Sequence, residues 1–385
     1  MPAIIENVAV KSFRTISTWD DSLGQRHPCE PRAVQSEILC ITDSDGAIGY
    51  SLMRGDHLRP SVLERYVRSG LIGEDPLDRE RLWRRLARRQ RAGGGGLSDR
   101  GLGYVDQALW DLLGRKLNTP VWKLLGGARD MVPAYASTMC GDETPGGLSS
   151  PEDYAVFAKA LLAKGYRAIK LHTWLPPVSF APDVDLDIRA CAAVREAVGP
   201  GIELMLDPNH WYSRLEARKL GRALERLNFC WLEEPMEESS IESYRWLSAQ
   251  LDIPVLGPET AGGKHHTRAE WALSGACDIL RIGVNDAGGI TPALKAIHLA
   301  ESFGIDIEIH GSGAGNLAVV GGTFAGRWYE RALLHPAFDY DAVPPHLHSN
   351  IDPMDESGFV HMPMRPGLGE DLDLEYIAAN VTETW

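Results

Sequence analysis

Two rhythms of apolar and polar positions divide the chain. Over residues 4–15 and 35–50 they alternate, as in IENVAVKSF and QSEILCITDSDGAIGY. Alternation predicts half-buried strands, and Asp45-Gly46 reads as a hairpin turn. A helical pattern follows over 60–92, then a glycine break at 93–96 and a second helix from Tyr104 to Lys116. From residue 132 short apolar strands alternate with helices. Strands are predicted at 132–137, 168–172, 202–207, 229–235, 253–259, 278–283 and 306–310. Helices are predicted at 151–165, 184–198, 213–227, 240–250, 267–274 and 290–303. Such alternation implies an α/β fold with a parallel sheet, and seven or eight units fit a closed barrel. An open doubly wound sheet is the competing architecture, but no glycine fingerprint stands at the first βα turn.

Barrel enzymes carry their chemistry at the C-terminal ends of the strands. Three acids occupy such ends: Asp207 in IELMLD, Glu233 in WLEEP and Glu259 in VLGPE, each 26 positions after the one before. Equal spacing sets one carboxylate at the same height on each of three consecutive strands. Three converging carboxylates repel one another and need a cation, and all-oxygen ligands suit a hard one such as Mg²⁺. Lys170 and His172, in AIKLH, are two apart and face one side of their strand. A charged Lys beside a His favours the neutral imidazole that acts as a base. His310 ends DIEIH on the opposite side of the mouth, a candidate for acid or base. Glu330, in WYE, closes a candidate eighth strand as an extra acid or a partner of Arg327 or Arg331.

Composition narrows the class. The chain has 385 residues, 44% hydrophobic, enough for a large core or for two domains. A formal charge of -14 argues against nucleic acid as the main partner. The arginines at 84, 85, 88, 89 and 91 read as a solvated helix face. Six scattered cysteines without a C-x-x-C pair argue against a thiolate zinc site and fit a reducing cytoplasm. No apolar run approaches the roughly 20 residues of a membrane helix, and no signal peptide is expected at the start.

These motifs together resemble the enolase superfamily, in particular its mandelate racemase-like group. GLGYVDQALWDLLGRKLNTPVWKLLGG is similar to the signature at the join of cap and barrel. LDPNHWY, WLEEP and GPE resemble the three metal-ligand strands, and GLGEDLD the usual ending. The resemblance implies a modified (β/α)7β barrel over 131–335, an α+β capping domain over 1–130, and a segment 336–385 that returns to the cap. It implies Mg²⁺ on Asp207, Glu233 and Glu259, with the first rather than the second glutamate of the pair as ligand. It further implies proton abstraction next to a carboxylate through an enediolate, with a Lys or His base. The expected reaction is dehydration of a sugar acid of the aldonate type to a 2-keto-3-deoxy acid. Lys170 would stabilise the developing charge, His172 take the proton and His310 release the hydroxyl.

Two departures from the group stand out. Lys-x-Lys is replaced by Lys170-Leu171-His172, and Gly283 falls where the group has an Asp that orients the late His. Asp278 and Asp286 are out of register, so His310 is expected to lack its usual partner, with Glu308 facing the same side. That asymmetry favours dehydration over the alternative, a racemase or epimerase of a 2-hydroxy acid. A non-catalytic scaffold is disfavoured by the intact acidic trio, and a metal-dependent hydrolase by the lack of an early His-x-His. Substrate contacts are expected from Trp174, His210 and Glu330 in the barrel. The polar cap loops 17–30 and 52–60 add His27, Arg54 and His57. The expected partner is a small carboxylate, with no nucleic acid or membrane, and the expected state a homo-oligomer, from dimer to octamer.

Overall fold

The computed structural model describes residues 3–22 and 25–385; the side chains of 21–27, and with them the candidate His27, lie outside the described residues. The chain opens with three antiparallel strands, β1 (Ile5–Ser22), β2 (Gln25–Asp43) and β3 (Ile48–Met53). Asp45-Gly46 lies in the β2–β3 connection, with Gly46 at a φ of 82°. The expected loop at 17–30 is instead the outer half of the β1–β2 hairpin: Trp19 pairs with Pro28, Asp20 with His27 and Ser22 with Gln25. Its polar composition reads as loop, yet a ladder held by backbone pairing needs no apolar alternation. The expected helix over 60–92 is two pieces, helical turns from Pro60 to Leu71 and a helix over Arg79–Ala92. Gly73 (φ 81°) and Pro76 lie in the break.

The helix Asp99–Lys116 joins the two halves. Ser98 caps it by accepting from the Gly101 N–H at 3.0 Å. It is buried almost throughout because one side packs on the cap strands and the other on the barrel. Gly49, for example, would place a Cβ 2.1 Å from the Ala108 carbonyl oxygen.

The barrel strands are β4 (Met131–Thr138), β5 (Ala168–His172), β6 (Glu203–Asp207), β7 (Trp231–Glu233), β8 (Val255–Gly257), β9 (Ile279–Ile282), β10 (Asp306–Ile309) and β11 (Tyr329–Leu334). All eight run parallel in the order β10-β9-β8-β7-β6-β5-β4-β11. The end strands are bridged by the Gly326 N–H to the Ile307 carbonyl (2.7 Å) and the Gly311 N–H to the Glu330 carboxylate (2.6 Å). Tyr135, Ala168, Met205, Trp231, Leu256 and Trp328 fill the interior as an apolar plug. The strand period of two then carries the chain from Ala168 to Lys170 and His172, from Met205 to Asp207, from Trp231 to Glu233, and from Trp328 to Glu330. An apolar floor thus supports a charged mouth.

The C-terminal segment does two things. Phe359–His361 adds antiparallel to β4, and Val381–Thr384 adds to β1 as the outer strand of the cap. Among the described residues no helix is long and apolar enough to cross a membrane.

Candidate active site

Asp207, Glu233 and Glu259 bring one ligand oxygen each to within 4.8 Å of one another, at the ends of β6 and β7 and just after β8. Glu259 is fixed from behind. Its N–H donates to Glu238 at 2.7 Å and to Glu234, while buried Arg268 donates to its carbonyl. Glu234 has a φ of 34° and points away from the trio into a second group with His210 and Glu238. Burial and the neighbouring Glu238 push the Glu234 carboxyl well above its usual range. That arrangement separates the two glutamates of WLEEP.

Two permanent cations sit under the trio. The Lys170 ammonium is 3.1 Å from Glu233, 3.1 Å from Glu330 and 3.8 Å from Asp207. Arg281, fully buried in the middle of β9, lies 3.0 Å from Glu233 and 2.8 Å from Glu330. Burial alone lowers the Lys170 pKa, but Glu233 and Glu330 hold it well above the ordinary lysine value, so it stays charged. Burial raises Glu233 despite both cations. At Glu330 they outweigh burial and hold the carboxyl well below its usual range. Of the two expectations for Glu330, the partnership is corrected, because Arg327 pairs with Glu203 and Arg331 with Asp341, while Glu330 stands as an extra acid on Lys170 and Arg281. Arg281 is absent from the sequence reading. Its signal was present: a lone Arg inside the apolar strand DILRIG must find an acid when buried.

The histidines flank the trio. His172 Nδ1 lies 2.7 Å from the Thr138 carbonyl, which can only accept, so Nδ1 carries the hydrogen. Nε2 is left to exchange protons, and it faces Asp207 at 3.2 Å. On the far side His310 Nε2 is 2.9 Å from Glu259. Its Nδ1 is 3.0 Å from Asp286, which corrects the expectation that this His lacks an orienting carboxylate. Asp286 stands four residues past the end of β9, where strand register no longer applies. Glu308 does not serve, since it accepts from the Arg327 N–H at 2.7 Å. Burial lowers the His310 pKa, but Glu259 and Asp286 together raise it to about 10. His310 and Arg100 outweigh burial and hold Asp286 below its usual range.

The remaining candidates stand further out. Trp174 is core rather than pocket wall: it is buried, donates to the Leu148 carbonyl at 2.8 Å and packs edge-on against Tyr154 and Phe180. It lies two residues beyond the end of β5, so parity with His172 does not carry over. His210 Nε2 is 3.6 Å from Glu234, behind the trio. In the cap, Arg54 stacks on Trp19 with 5.3 Å to the ring centre, and His57 Nδ1 is 3.1 Å from the Ser98 hydroxyl. Burial and nearby Arg100 lower the His57 pKa.

A cation fits this donor set. Four carboxylates, at 207, 233, 259 and 330, outnumber the two permanent cations, Lys170 and Arg281. One buried oxygen, Glu259 Oε2, has no hydrogen-bond partner. All-oxygen ligands with an excess of carboxylates over fixed cations suit a hard divalent ion.

Comparison with known proteins agrees with this geometry. A D-galactarolactone cycloisomerase from Agrobacterium fabrum is 32% identical, with 88% of each chain covered. An arabinonate dehydratase from Saccharolobus solfataricus is 30% identical, covering 89% of this chain and 88% of the relative. The crystal structure of D-glucarate dehydratase from Agrobacterium tumefaciens complexed with magnesium superposes with a TM-score of 0.97, at 57% identity over 99% of both chains. Residues 36–126 match the mandelate racemase / muconate lactonizing enzyme N-terminal domain, and residues 153–377 match the enolase C-terminal domain-like family. With a capping half and a barrel half both matched, the chain belongs to the mandelate racemase/muconate lactonizing enzyme group of the enolase superfamily.

Proposed function

We propose that this chain is a magnesium-dependent lyase that dehydrates a sugar acid to a 2-keto-3-deoxy acid. The observation that carries the reading is the pair of histidines on opposite sides of the carboxylate trio, with Nε2 atoms 3.2 Å from Asp207 and 2.9 Å from Glu259. Asp207, Glu233 and Glu259 would hold the ion. When bound, magnesium supplies charge stabilisation for a substrate carboxylate as the neighbouring C–H bond ionises. Lys170, kept cationic by Glu233 and Glu330, adds fixed positive charge to the same site. His172 takes the α-proton at Nε2, because the Thr138 carbonyl occupies its Nδ1–H. The electron pair left behind expels the β-hydroxyl, which departs as water with a proton from His310. The resulting enol tautomerises to the 2-keto acid. Each proton transfer is worth about 10² to 10⁴ in rate.

The neighbour at 57% identity is a glucarate dehydratase, which puts a six-carbon diacid ahead of an aldonate as substrate. Relatives near 30% identity include arabinonate and galactonate dehydratases, so both classes belong in the test. A screen of these acids with magnesium, detecting 2-keto-3-deoxy products, is expected to give turnover. No turnover of any of them, with bound metal verified, defeats the proposal. Proton exchange in D₂O then assigns the roles: His172→Asn is expected to abolish α-proton exchange, while His310→Asn retains it and blocks water loss. The opposite result swaps base and acid.

A second reading, racemisation or epimerisation, draws support from Asp286, which gives His310 the carboxylate partner a second base needs. It predicts α-epimer formation without a keto product in the same screen.

A further inference from the structure

Gly283 ends the apolar run of β9 pointing toward the mouth, and the space its missing side chain leaves is occupied. A Cβ there would lie 3.0 Å from Asp286 Oδ2 and 3.1 Å from His310 Nδ1. That same Asp286 oxygen is the one 3.0 Å from His310 Nδ1. Absence of a side chain at 283 and presence of a carboxylate at 286 are therefore one arrangement, not two. The other Asp286 oxygen is 2.8 Å from Arg100 Nε. Arg100 is in the first turn of the helix Asp99–Lys116, so this contact ties the barrel His to the cap.

The loop carrying Asp286 is clamped by that same helix. Gln107 donates to Asn285 Oδ1 at 2.8 Å, and Trp110 donates to Thr291 Oγ1 at 3.2 Å. Asp106 accepts from the Thr291 N–H at 2.8 Å and its hydroxyl at 2.7 Å. Gly103 lets the helix approach, since a Cβ there would sit 3.0 Å from the Asn285 carbonyl. From the preceding helix of the cap, Arg79–Ala92, Trp83 Nε1 donates to the Gly288 carbonyl at 2.8 Å. The cap thus holds the loop on both sides of Asp286 and the free oxygen of Asp286 itself, whereas a carboxylate on β9 itself would be placed by the barrel alone.

We propose that Asp286 is the positioning residue of His310, reaching it through the space left by Gly283, and that Arg100 completes the arrangement so that seating of the cap fixes the imidazole. This deepens the reading of the site given above and rests on it only where turnover is measured. His310 is the group that exchanges a proton with substrate; Asp286 and Arg100 act through it. A hydrogen bond from Nδ1 fixes the ring and leaves Nε2 aimed at the trio.

The test separates this from the identity of the reaction. In metal-free protein labelled with ¹⁵N-histidine, the His310 Nδ1–H resonance is assigned by its loss in His310→Asn. It is expected to disappear in Asp286→Ala and to return in the double variant Gly283→Asp/Asp286→Ala. In Arg100→Met it is expected to broaden through exchange with water and to sharpen again in Arg100→Lys. Persistence of the resonance in Asp286→Ala overturns the role of Asp286, and an unchanged resonance in Arg100→Met overturns the role of the cap. With D-glucarate as probe, Asp286→Asn is expected to lower kcat by about 10²-fold with KM nearly unchanged, and Arg100→Met by about 10-fold. If wild-type protein turns over none of the screened acids, the functional reading fails while the resonance still decides the positioning proposal.

Discussion

Replacing Lys170 by methionine removes one charge from the barrel mouth and keeps most of the side-chain volume. The ammonium is 1% exposed and lies 3.1 Å from both Glu233 and Glu330. Each carboxylate keeps a second cation, because Arg281 is 3.0 Å from Glu233 and 2.8 Å from Glu330. Removing one partner of a buried ion pair costs about 3–5 kcal/mol, and the surviving Arg281 places this case near the lower bound. Unfolding entropy of about 2.1 cal/mol/K per residue converts 3 kcal/mol into a loss of roughly 4 °C in Tm for this 385-residue chain. Magnesium should reverse the effect. In the variant four carboxylates face one permanent cation instead of two, so a dication gains more by binding. The rise in Tm on adding magnesium is therefore expected to be larger in Lys170→Met than in wild type. Turnover is expected to fall by about 10² to 10³, the range for removing one fixed charge-stabilising donor. Calorimetry in EDTA and in saturating magnesium reads both shifts. A variant with wild-type Tm in EDTA, or with a magnesium shift smaller than wild type, would refute the charge balance described for this mouth.

Three further outcomes follow from individual contacts. Burial raises Glu308 from 4.5 to about 7, against the Arg327 N–H that lowers it. A raised acid contributes stability that is present below the unfolded value and lost as pH rises through about 7. Glu308→Gln should accordingly gain Tm over wild type above pH 7 and lose that gain near pH 4, as thermal melts across pH will show; a gain independent of pH would count against it. Gly283→Ala should keep the fold and Tm within a few degrees but lower kcat, because its methyl must displace Asp286 or His310; an unchanged kcat contradicts the packing. Trp174→Phe should cost about 1–2 kcal/mol through the lost bond to the Leu148 carbonyl, with KM unchanged in steady-state kinetics; a raised KM would return Trp174 to the pocket.

Much of this site is legible before any coordinates. Asp207, Glu233 and Glu259 converge because the repeat of 26 residues equals one βα unit, so equal spacing becomes equal height. Lys170 and His172 face one way because both lie inside β5, where the pleat enforces a period of two. The apolar strands and amphipathic helices of the barrel follow from the same periodicities. What composition obscures is the outer hairpin, where a polar ladder satisfied by its own backbone bonds looks like a loop.

The errors at the mouth share a cause with the successes. Parity is a property of paired strands, and it ends where pairing ends. Parity expects Trp174 in the pocket, but the ladder of β5 ends at His172, and Trp174, held by one isolated bridge to Gly141, packs into the core. Parity puts Asp286 out of register, but β9 stops at Ile282 and the following loop curls back over the strand end. The Ala287 N–H bonds to the Gly283 carbonyl at 2.9 Å, which returns residue 286 to the place a side chain at 283 would have used. A carboxylate can thus move three positions along the chain and keep its partner, provided the vacated position is glycine. The shift also changes what holds the group: β9 would hold an acid at 283 through the barrel ladder, whereas Arg100 and the cap helix hold the acid at 286. Loss of one motif residue therefore need not mean loss of the His–carboxylate pair, and here it transfers control of that pair from the barrel to the cap.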